Sequence, residues 1–182
     1  PGGGVGGYGT RGGDAFGVPS LPRGSHAPGK RLPPGSWAPY ILEDRLHPRP
    51  QVLYVVASNL VNRSQASTTC LSALERMPFV VEQDPFMTPT ARHADVVLPV
   101  SMELERADIV SSWGHDSHIF LSQAAVEPAG ESRSDYWVMA QLARRLGIYD
   151  KYTEGRDEEQ WLDAIKSAMP LPWDEAAREG LL

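Results

Sequence analysis

The stretch VLYVVA, residues 52–57, decides the fold class, because it is a continuous run of apolar and mostly β-branched or aromatic residues. A run of this kind predicts a strand that is buried on both faces of a parallel sheet. FVVEQ (79–83) repeats the pattern, and DVVLP (95–99) predicts a third strand that its proline ends. The chain therefore contains three predicted strands in close succession.

The segments between these strands predict helical connections. A polar loop is expected directly after the first strand, and 64–77 then carries apolar residues at helical spacing, with Ser64 as the predicted N-cap. Residues 88–94 predict a short helix that the side chains of Thr88 and Thr90 serve. This alternation predicts an α/β fold: a Rossmann-like, doubly wound parallel sheet flanked by helices.

The second half of the chain predicts a layer that closes the fold. Residues 119–126 alternate weakly in hydropathy and predict an edge strand. Amphipathic segments predict helices over 134–148, 156–169 and 173–180. Gly147 is expected to end the first of these helices as its C′ residue.

The first 50 residues differ in composition from the rest. They hold most of the chain's 17 glycines and more than half of its 16 prolines, which predicts a long Gly/Pro-rich loop segment. Within it, GVGGYG (4–9) matches the G-x-G-x-x-G pattern of dinucleotide-binding loops. That pattern needs a strand before it and a helix after it, and neither is predicted, so we expect a permissive loop. The expected division is a loop segment 1–50, a sheet domain 51–150 and a helical extension 151–182.

Composition excludes several classes of function. The formal net charge of -6 argues against a broad nucleic-acid-binding surface. The single cysteine, Cys70, excludes an intramolecular disulfide and a cysteine cluster for zinc or iron–sulfur. No apolar run approaches the roughly 20 residues that a membrane-spanning helix needs.

No constellation of catalytic side chains is evident. The chain has no G-x-S-x-G nucleophile elbow. His115 and His118 have a spacing that metal ligands use, but in a polar loop such histidines are more often solvated. Glu103 and Glu105 are not an acid–base pair on spacing alone. We therefore assign no catalytic residue and no metal ligand.

Polar side chains follow the predicted strands. Asn59 comes after the first strand, Gln83 and Asp84 after the second, and the stretch 103–108 after the third. Ligands of open parallel sheets bind beyond the carboxyl ends of the strands, and these residue types suit a nucleotide. The alternative is that they are turn formers, since Asn and Asp favour the starts of loops.

A succession of motifs carries a resemblance to a known family. The chain has, in order, a strand that ends near Asn59, QDPF at 83–86, TPTARHADVVLP at 88–99, an ER pair at 105–106 and VEPAGESRSDYW at 126–137. This succession resembles the molybdopterin-guanine-dinucleotide oxidoreductases typified by dimethyl-sulfoxide reductase. The resemblance covers nearly the whole chain and is far more specific than the glycine pattern near the N-terminus.

The resemblance implies roles for particular residues. Asn59 would face the phosphate or ribose region of the nucleotide, and Gln83 and Asp84 would face the guanosine. Arg106 would offer a cation near the nucleotide, and Asp135 would accept N–H groups of guanine. Each has a simpler alternative: a turn for the first three, a solvated charge for Arg106 and a helix cap for Asp135.

The resemblance also implies a cofactor. It would be bis(molybdopterin guanine dinucleotide) with molybdenum, or tungsten as the alternative metal, and the Rossmann-like cofactor-binding domain 51–150 would hold one of the two dinucleotides. The chain is expected to be a fragment of a catalytic subunit. The protein ligand to the metal and any iron–sulfur cluster would then lie upstream, and a further domain would follow the extension 151–182.

The implied reaction is two-electron oxygen-atom transfer at molybdenum, as in sulfoxide and N-oxide reductases. A small-molecule substrate and an electron-transfer subunit or redox partner are expected, with no nucleic acid and no membrane span. The resemblance favours the periplasm, with the cytoplasm as the alternative. Two other functions stay open: a cofactor-free scaffold subunit of a redox complex, and a hydratase or transhydroxylase that uses the same cofactor.

Overall fold

The computed structural model of the chain describes residues 32–33, 35–64, 66–111 and 119–179. The helices and strands are, in chain order, α1 (Trp37–Leu42), β1 (Leu53–Val56), α2 (Leu60–Arg63), α3 (Ser67–Arg76), β2 (Val80–Asp84), β3 (Val96–Pro99), β4 (Asp108–Ser111), β5 (Ile119–Ser122), α4 (Asp135–Arg145), α5 (Tyr149–Thr153), α6 (Glu158–Ala168) and α7 (Trp173–Glu179). The described residues fall into two compact units, which we call the N-terminal unit, ending at Val100, and the C-terminal unit, beginning at Ser101.

A parallel sheet forms the centre of the N-terminal unit. Its three strands lie in the order β1-β2-β3, which confirms the predicted parallel arrangement. Leu53 of β1 lies opposite Val80 of β2, and Val81 of β2 lies opposite Val96 of β3. The order of these described strands contains no reversal, so a doubly wound sheet stays a prediction.

Burial differs between the strands. Every residue of β2 is buried, as predicted for a central parallel strand. The prediction of a strand buried on both faces is wrong for β1, where Val56 is 43% exposed, and Val96 of β3 is 37% exposed as well. These two strands are the edges of the described sheet, and an apolar run does not reveal whether a strand has neighbours on both sides.

Helix α3 covers the sheet with small side chains. Cys70 and Ala73 are completely buried and belong to one apolar cluster with Val80 of β2. Cys70 is thus the small buried residue that its apolar surroundings favour. Ala38 and Ile41 of α1 join the same cluster, although they lie within the segment predicted as a loop.

The connection between β1 and α3 differs from two predictions. The expected polar loop contains the short helix α2, and α3 begins at Ser67 rather than at the predicted residue 64. Ser64 is the C-cap of α2, and its hydroxyl oxygen accepts a hydrogen bond from the Ala66 amide at 3.3 Å. Ser64 was wrong as the N-cap because a local side-chain bond to the backbone competes with capping the helix.

The short helix predicted over 88–94 is a 3₁₀ turn at Ala91–His93. The side chain of Thr88 serves this turn as predicted, since its Oγ1 accepts a hydrogen bond from the Ala91 amide at 3.0 Å. The turn keeps the connection between β2 and β3 short.

In the C-terminal unit, β4 and β5 form an antiparallel pair. The predicted edge strand over 119–126 is confirmed as β5, which ends earlier, whereas β4 was not predicted. The predicted helix over 134–148 is α4, whose N-cap Ser134 accepts a hydrogen bond from the Trp137 amide at 3.0 Å. Gly147 follows the C-cap with a positive φ of 71°, as its predicted C′ role requires.

The predicted helices over 156–169 and 173–180 are α6 and α7, and the short helix α5 was not predicted. Tyr136 of α4 and Trp161 of α6 are buried together, with the Trp161 indole N–H donating to the Tyr136 hydroxyl at 3.2 Å. The Tyr136 hydroxyl donates in turn to the Arg156 carbonyl at 2.6 Å. A buried Tyr–Trp pair is thereby satisfied in its polar atoms as well as in its packing.

Several predictions fall outside the described residues. These are the glycine motif at 4–9, the character of most of the segment 1–50, and His115 and His118. The division into 1–50, 51–150 and 151–182 stays a prediction, and the boundary between the compact units lies at Val100. No helix of the described chain has the length and apolar character that a membrane crossing requires.

Glu82 places a carboxyl group inside the N-terminal unit. Its side chain is completely buried, and neither carboxyl oxygen has a hydrogen-bond partner among the described residues. Burial raises the pKa of Glu82 to about 7 and the charge of Asp84 adds to the rise, while the Thr88 hydroxyl, which lies nearby but outside hydrogen-bond geometry, opposes it. An ionised carboxylate without partners is costly inside a protein, so the folded chain favours the neutral acid.

Stability should therefore depend on pH through Glu82. Between about pH 4.5 and pH 7 the group is protonated in the folded chain and ionised in the unfolded chain, so the free energy of unfolding falls as pH rises. Glu82→Gln should remove this part of the fall, roughly 2–4 kcal/mol across the window. Urea unfolding at a series of pH values measures it. Glu75→Gln, on the exposed side of α3, is the control, and equal pH slopes for the Glu82 variant and the unsubstituted chain would contradict the account.

Candidate functional site

The carboxyl ends of β1, β2 and β3 lie at one edge of the sheet, because the strands are parallel. Val56, the last residue of β1, lies opposite Gln83, and Asp84 lies opposite Pro99, the last residue of β3. The register thus brings the segment that follows β1, including Asn59, to the edge where β2 ends in Asp84. Ligands of open parallel sheets bind at this edge.

The chain leaves β1 through a strained residue. Ala57 has a φ of 47°, in the left-handed region that favours glycine. Its amide donates a hydrogen bond to the Gln83 carbonyl at 2.9 Å, which extends the ladder between β1 and β2 by one bond. This bond holds Ala57 in an unfavourable conformation and fixes the direction of the loop that carries Asn59.

The amide side chain of Asn59 is held from two sides. Asn59 is the N-cap of α2, and its Oδ1 accepts from the Asn62 amide at 3.4 Å. The same oxygen accepts from the Thr90 hydroxyl at 3.1 Å. Thr90 is completely buried, and its Oγ1 also accepts from the Val61 amide at 3.1 Å. The side chain of Thr90 therefore serves Asn59 and α2, and the prediction that it serves the short helix was wrong.

Gln83 and Asp84 have different surroundings. Gln83 is completely buried, and its Oε1 accepts a hydrogen bond from the Tyr54 hydroxyl at 2.6 Å. Asp84 is 7% exposed, and its Oδ1 accepts from the Phe86 amide at 2.8 Å, as in an Asx turn. Its Oδ2 has no hydrogen-bond partner in the described part of the chain. Asp84 thus forms the predicted turn through Oδ1, and its Oδ2 is available as a hydrogen-bond acceptor. The contact of Gln83 and Asp84 with guanosine stays a prediction.

In the C-terminal unit the structure brings Arg106 and Asp135 together. The Arg106 Nη1 lies 3.5 Å from the Asp135 Oδ2 and donates to the Ser101 carbonyl at 2.9 Å. The Arg106 Nη2 lies 3.2 Å from the Asp108 Oδ2. Arg106 is therefore paired with the Asp108 carboxylate and lies close to that of Asp135, so its charge is balanced locally. Asp135 is the first residue of α4, where the helix dipole favours a negative charge.

Sequence reasoning missed two residues that build this region. Thr90 gave no signal of a partner at Asn59, because the contact joins side chains that the fold brings together. Asp95 was read only as part of a motif. Its Oδ2 accepts from the Val80 amide at 2.7 Å, and its own amide donates to the Val80 carbonyl at 2.9 Å, so it aligns β3 with the start of β2.

The described residues contain no group of three or more His, Cys, Asp or Glu side chains that could hold a metal ion. The chemistry offered at the sheet edge is instead hydrogen bonding to a polar ligand. Asn59 and Asp84 supply neutral and charged groups there.

A comparison with protein families decides the identity. Residues 32–145 match the molybdopterin oxidoreductase family, which is more than half of the chain. The chain belongs to the molybdopterin oxidoreductase family. This confirms the resemblance to the dimethyl-sulfoxide reductase type.

Individual relatives of this family member are reductases and a hydratase. The chain is 35% identical to biotin sulfoxide reductase of Cereibacter sphaeroides, over 89% of the chain and 24% of that protein. It is 37% identical to dimethyl sulfoxide/trimethylamine N-oxide reductase of the same organism, over 67% of the chain and 15% of that protein. The structure of acetylene hydratase from Pelobacter acetylenicus matches with a TM-score of 0.61 and 27% identity, over 79% of the chain and 20% of that protein. The molybdopterin oxidoreductase chain thus spans about a quarter or less of these relatives.

The strain at Ala57 gives a test of the loop that carries Asn59. Ala57→Gly should stabilise the chain by about 1 kcal/mol, because glycine adopts the left-handed conformation without a Cβ penalty. Ala125→Gly is the matched control at an exposed residue without a positive φ, and it should destabilise slightly. Equilibrium urea unfolding compares the two variants. Destabilisation by Ala57→Gly would contradict the conformation described for this loop.

Proposed function

We propose that the chain binds the guanosine end of one molybdopterin guanine dinucleotide in the catalytic subunit of a molybdenum oxidoreductase. The observation that carries the proposal is the pair of polar groups at the carboxyl edge of the parallel sheet, the amide of Asn59 and the open Oδ2 of Asp84. The residues fit the ligand, because a nucleotide diphosphate offers acceptors to an amide and guanine offers N–H donors to a carboxylate.

The sheet supports this proposal through its topology. Its three parallel strands are consistent with a Rossmann-like, doubly wound domain in which further strands continue the sheet. In this arrangement Asp84 and Gln83 serve the guanosine, Asp84 directly and Gln83 from its buried position beside Tyr54. Asn59 serves the phosphate or ribose region.

Asp135 is proposed to accept the guanine N1–H and N2–H groups. A carboxylate offers several acceptor sites, and the contact between Asp135 and Arg106 is long at 3.5 Å. Arg106 is proposed as the cation near the nucleotide, with its charge shared between Asp135 and Asp108.

The bound cofactor would supply two-electron oxygen-atom transfer at molybdenum, with tungsten as the alternative metal. The part of this chain is to hold and orient the nucleotide end of one of the two dinucleotides, so that the reactive end is positioned elsewhere in the protein. Substrates of the sulfoxide and N-oxide class are supported by the two reductase relatives. For the whole protein we also propose an electron-transfer partner, an iron–sulfur cluster and a periplasmic location.

A hydratase on the same cofactor is the second candidate, because acetylene hydratase is the structural relative described above. Reduction of sulfoxides and N-oxides with a reduced dye as electron donor separates the candidates. A reductase oxidises the reduced dye as it reduces the substrate, whereas a hydratase adds water to its substrate and leaves the dye reduced. A cofactor-free scaffold would do neither, and the acidic residues Asp84 and Asp135 favour cofactor binding over it.

Nucleotide selectivity tests the assignment of Asp135. Asp135→Asn should weaken GDP binding about tenfold and leave ADP binding nearly unchanged, because the carboxylate that accepts two guanine N–H groups becomes a mixed donor and acceptor. Asp108→Asn is the matched control, since it removes the other carboxylate beside Arg106. Calorimetric titration of the chain with each nucleotide gives the affinities. GDP binding that survives Asp135→Asn at full strength would remove Asp135 from the site.

A further inference from the structure

Thr90 is an unusual buried group at the sheet edge. It is a completely buried polar residue, yet its hydroxyl does not serve the turn in which it lies. It joins two segments that are far apart in the sequence, Val61 of α2 and the loop residue Asn59. A buried hydroxyl that makes two hydrogen bonds of 3.1 Å fixes the groups on both sides of it.

The direction of the two bonds is set by chemistry. The Val61 amide can only donate, so the Thr90 Oγ1 accepts from it. The hydroxyl hydrogen of Thr90 is then left to donate to Asn59. The Asn62 amide, 3.4 Å away on the same side of Asn59, is also a donor. The Asn62 amide can only donate, so it requires the carbonyl oxygen of Asn59 at this end of the side chain, and the Thr90 hydroxyl donates to the same oxygen.

The orientation of the Asn59 amide follows from this. If the side chain were turned over, its Nδ2 group would meet the hydrogen of the Asn62 amide, which can only donate, so that hydrogen bond would be lost and the Thr90 hydroxyl would have to reverse from donor to acceptor. With Oδ1 held between them, the Nδ2 group lies at the opposite end of the amide. Within the described ranges no residue accepts a hydrogen bond from this Nδ2. Asn59 therefore offers two N–H donors, while its acceptor is already used.

We propose that Thr90 is a positioning residue that locks the amide of Asn59 as a donor, so that Asn59 binds phosphoryl oxygens of the ligand. The proposal rests on the proposed function and deepens it, since it selects the diphosphate over other parts of the nucleotide. Phosphoryl oxygens are acceptors only and carry negative charge, so they match a group that offers donors alone. Ribose hydroxyls and the guanine N–H edge need an acceptor for part of their bonding.

Variants of the 182-residue chain test this with GDP and guanosine as probes. Thr90→Val keeps the shape and removes the hydroxyl, and it should weaken GDP binding about tenfold while guanosine affinity changes less than about twofold. Thr90→Ser restores the hydroxyl and should bring GDP affinity back to within about threefold. Thr153→Val is the control, because Thr153 is equally buried and its hydroxyl bonds only to backbone groups of the C-terminal unit.

A double-mutant cycle separates positioning from general stability. Asn59→Ala should weaken GDP binding by a similar factor to Thr90→Val, and Thr90→Val should then add less than about a further twofold loss in the Asn59→Ala chain. Full additivity of the two losses would overturn the proposal. An equal loss for guanosine and GDP would also overturn it, since this would indicate damage to the whole site.

If Thr90→Val fails to fold, Asn59→Asp provides a second test of the proposal. The aspartate retains an acceptor for Thr90 and Asn62 but replaces the Nδ2 donors by a negative oxygen, so GDP affinity should fall by more than about tenfold. Undiminished GDP binding by this variant would overturn the inference alone. Failure of the unsubstituted chain to bind GDP would overturn the proposed function and, with it, this inference.

Discussion

The parallel pairing of β2 with both of its neighbours is the constraint on which the rest of the structure depends. It buries every residue of β2 and brings three strand ends to one edge. Asp95 reinforces the pairing by bonding twice to Val80 at the opposite end of the strand. At the carboxyl edge the ladder continues through Ala57, which accepts backbone strain to do so. The positions of Asn59 and Asp84 at this edge follow from the register of the three strands.

Two buried polar residues of this region, Thr90 and Glu82, differ in whether their polar atoms are hydrogen-bonded. Thr90 satisfies the amide of Val61 and the side chain of Asn59 at once, so the polar groups beneath the edge are paired. Glu82 has no such partner although it is completely buried. The strain at Ala57 and the buried acid Glu82 both belong to segments that reach the proposed ligand edge, and proteins commonly keep such energetic costs near functional sites.

The sequence was sufficient to locate β1, β2 and β3, because a strand of a parallel sheet is marked by an apolar run, but it did not reveal β4. It was also sufficient for Asp135 at the start of α4, since helix caps and dipole effects are local. It was insufficient for the link between Thr90 and Asn59, which depends on how distant segments pack. Ser64 failed for a related reason: two local hydrogen bonds were available to it, and the sequence does not rank them.

The most direct test of the central claim is a two-dimensional NMR titration of the ¹⁵N-labelled chain with GDP. The account predicts saturable shifts in the amide resonances of Asn59, Asn62 and the Phe86 turn, together with the side-chain amide of Asn59. Saturable shifts confined to other parts of the chain, or no shifts at all, would contradict a nucleotide site at the carboxyl edge of the parallel sheet.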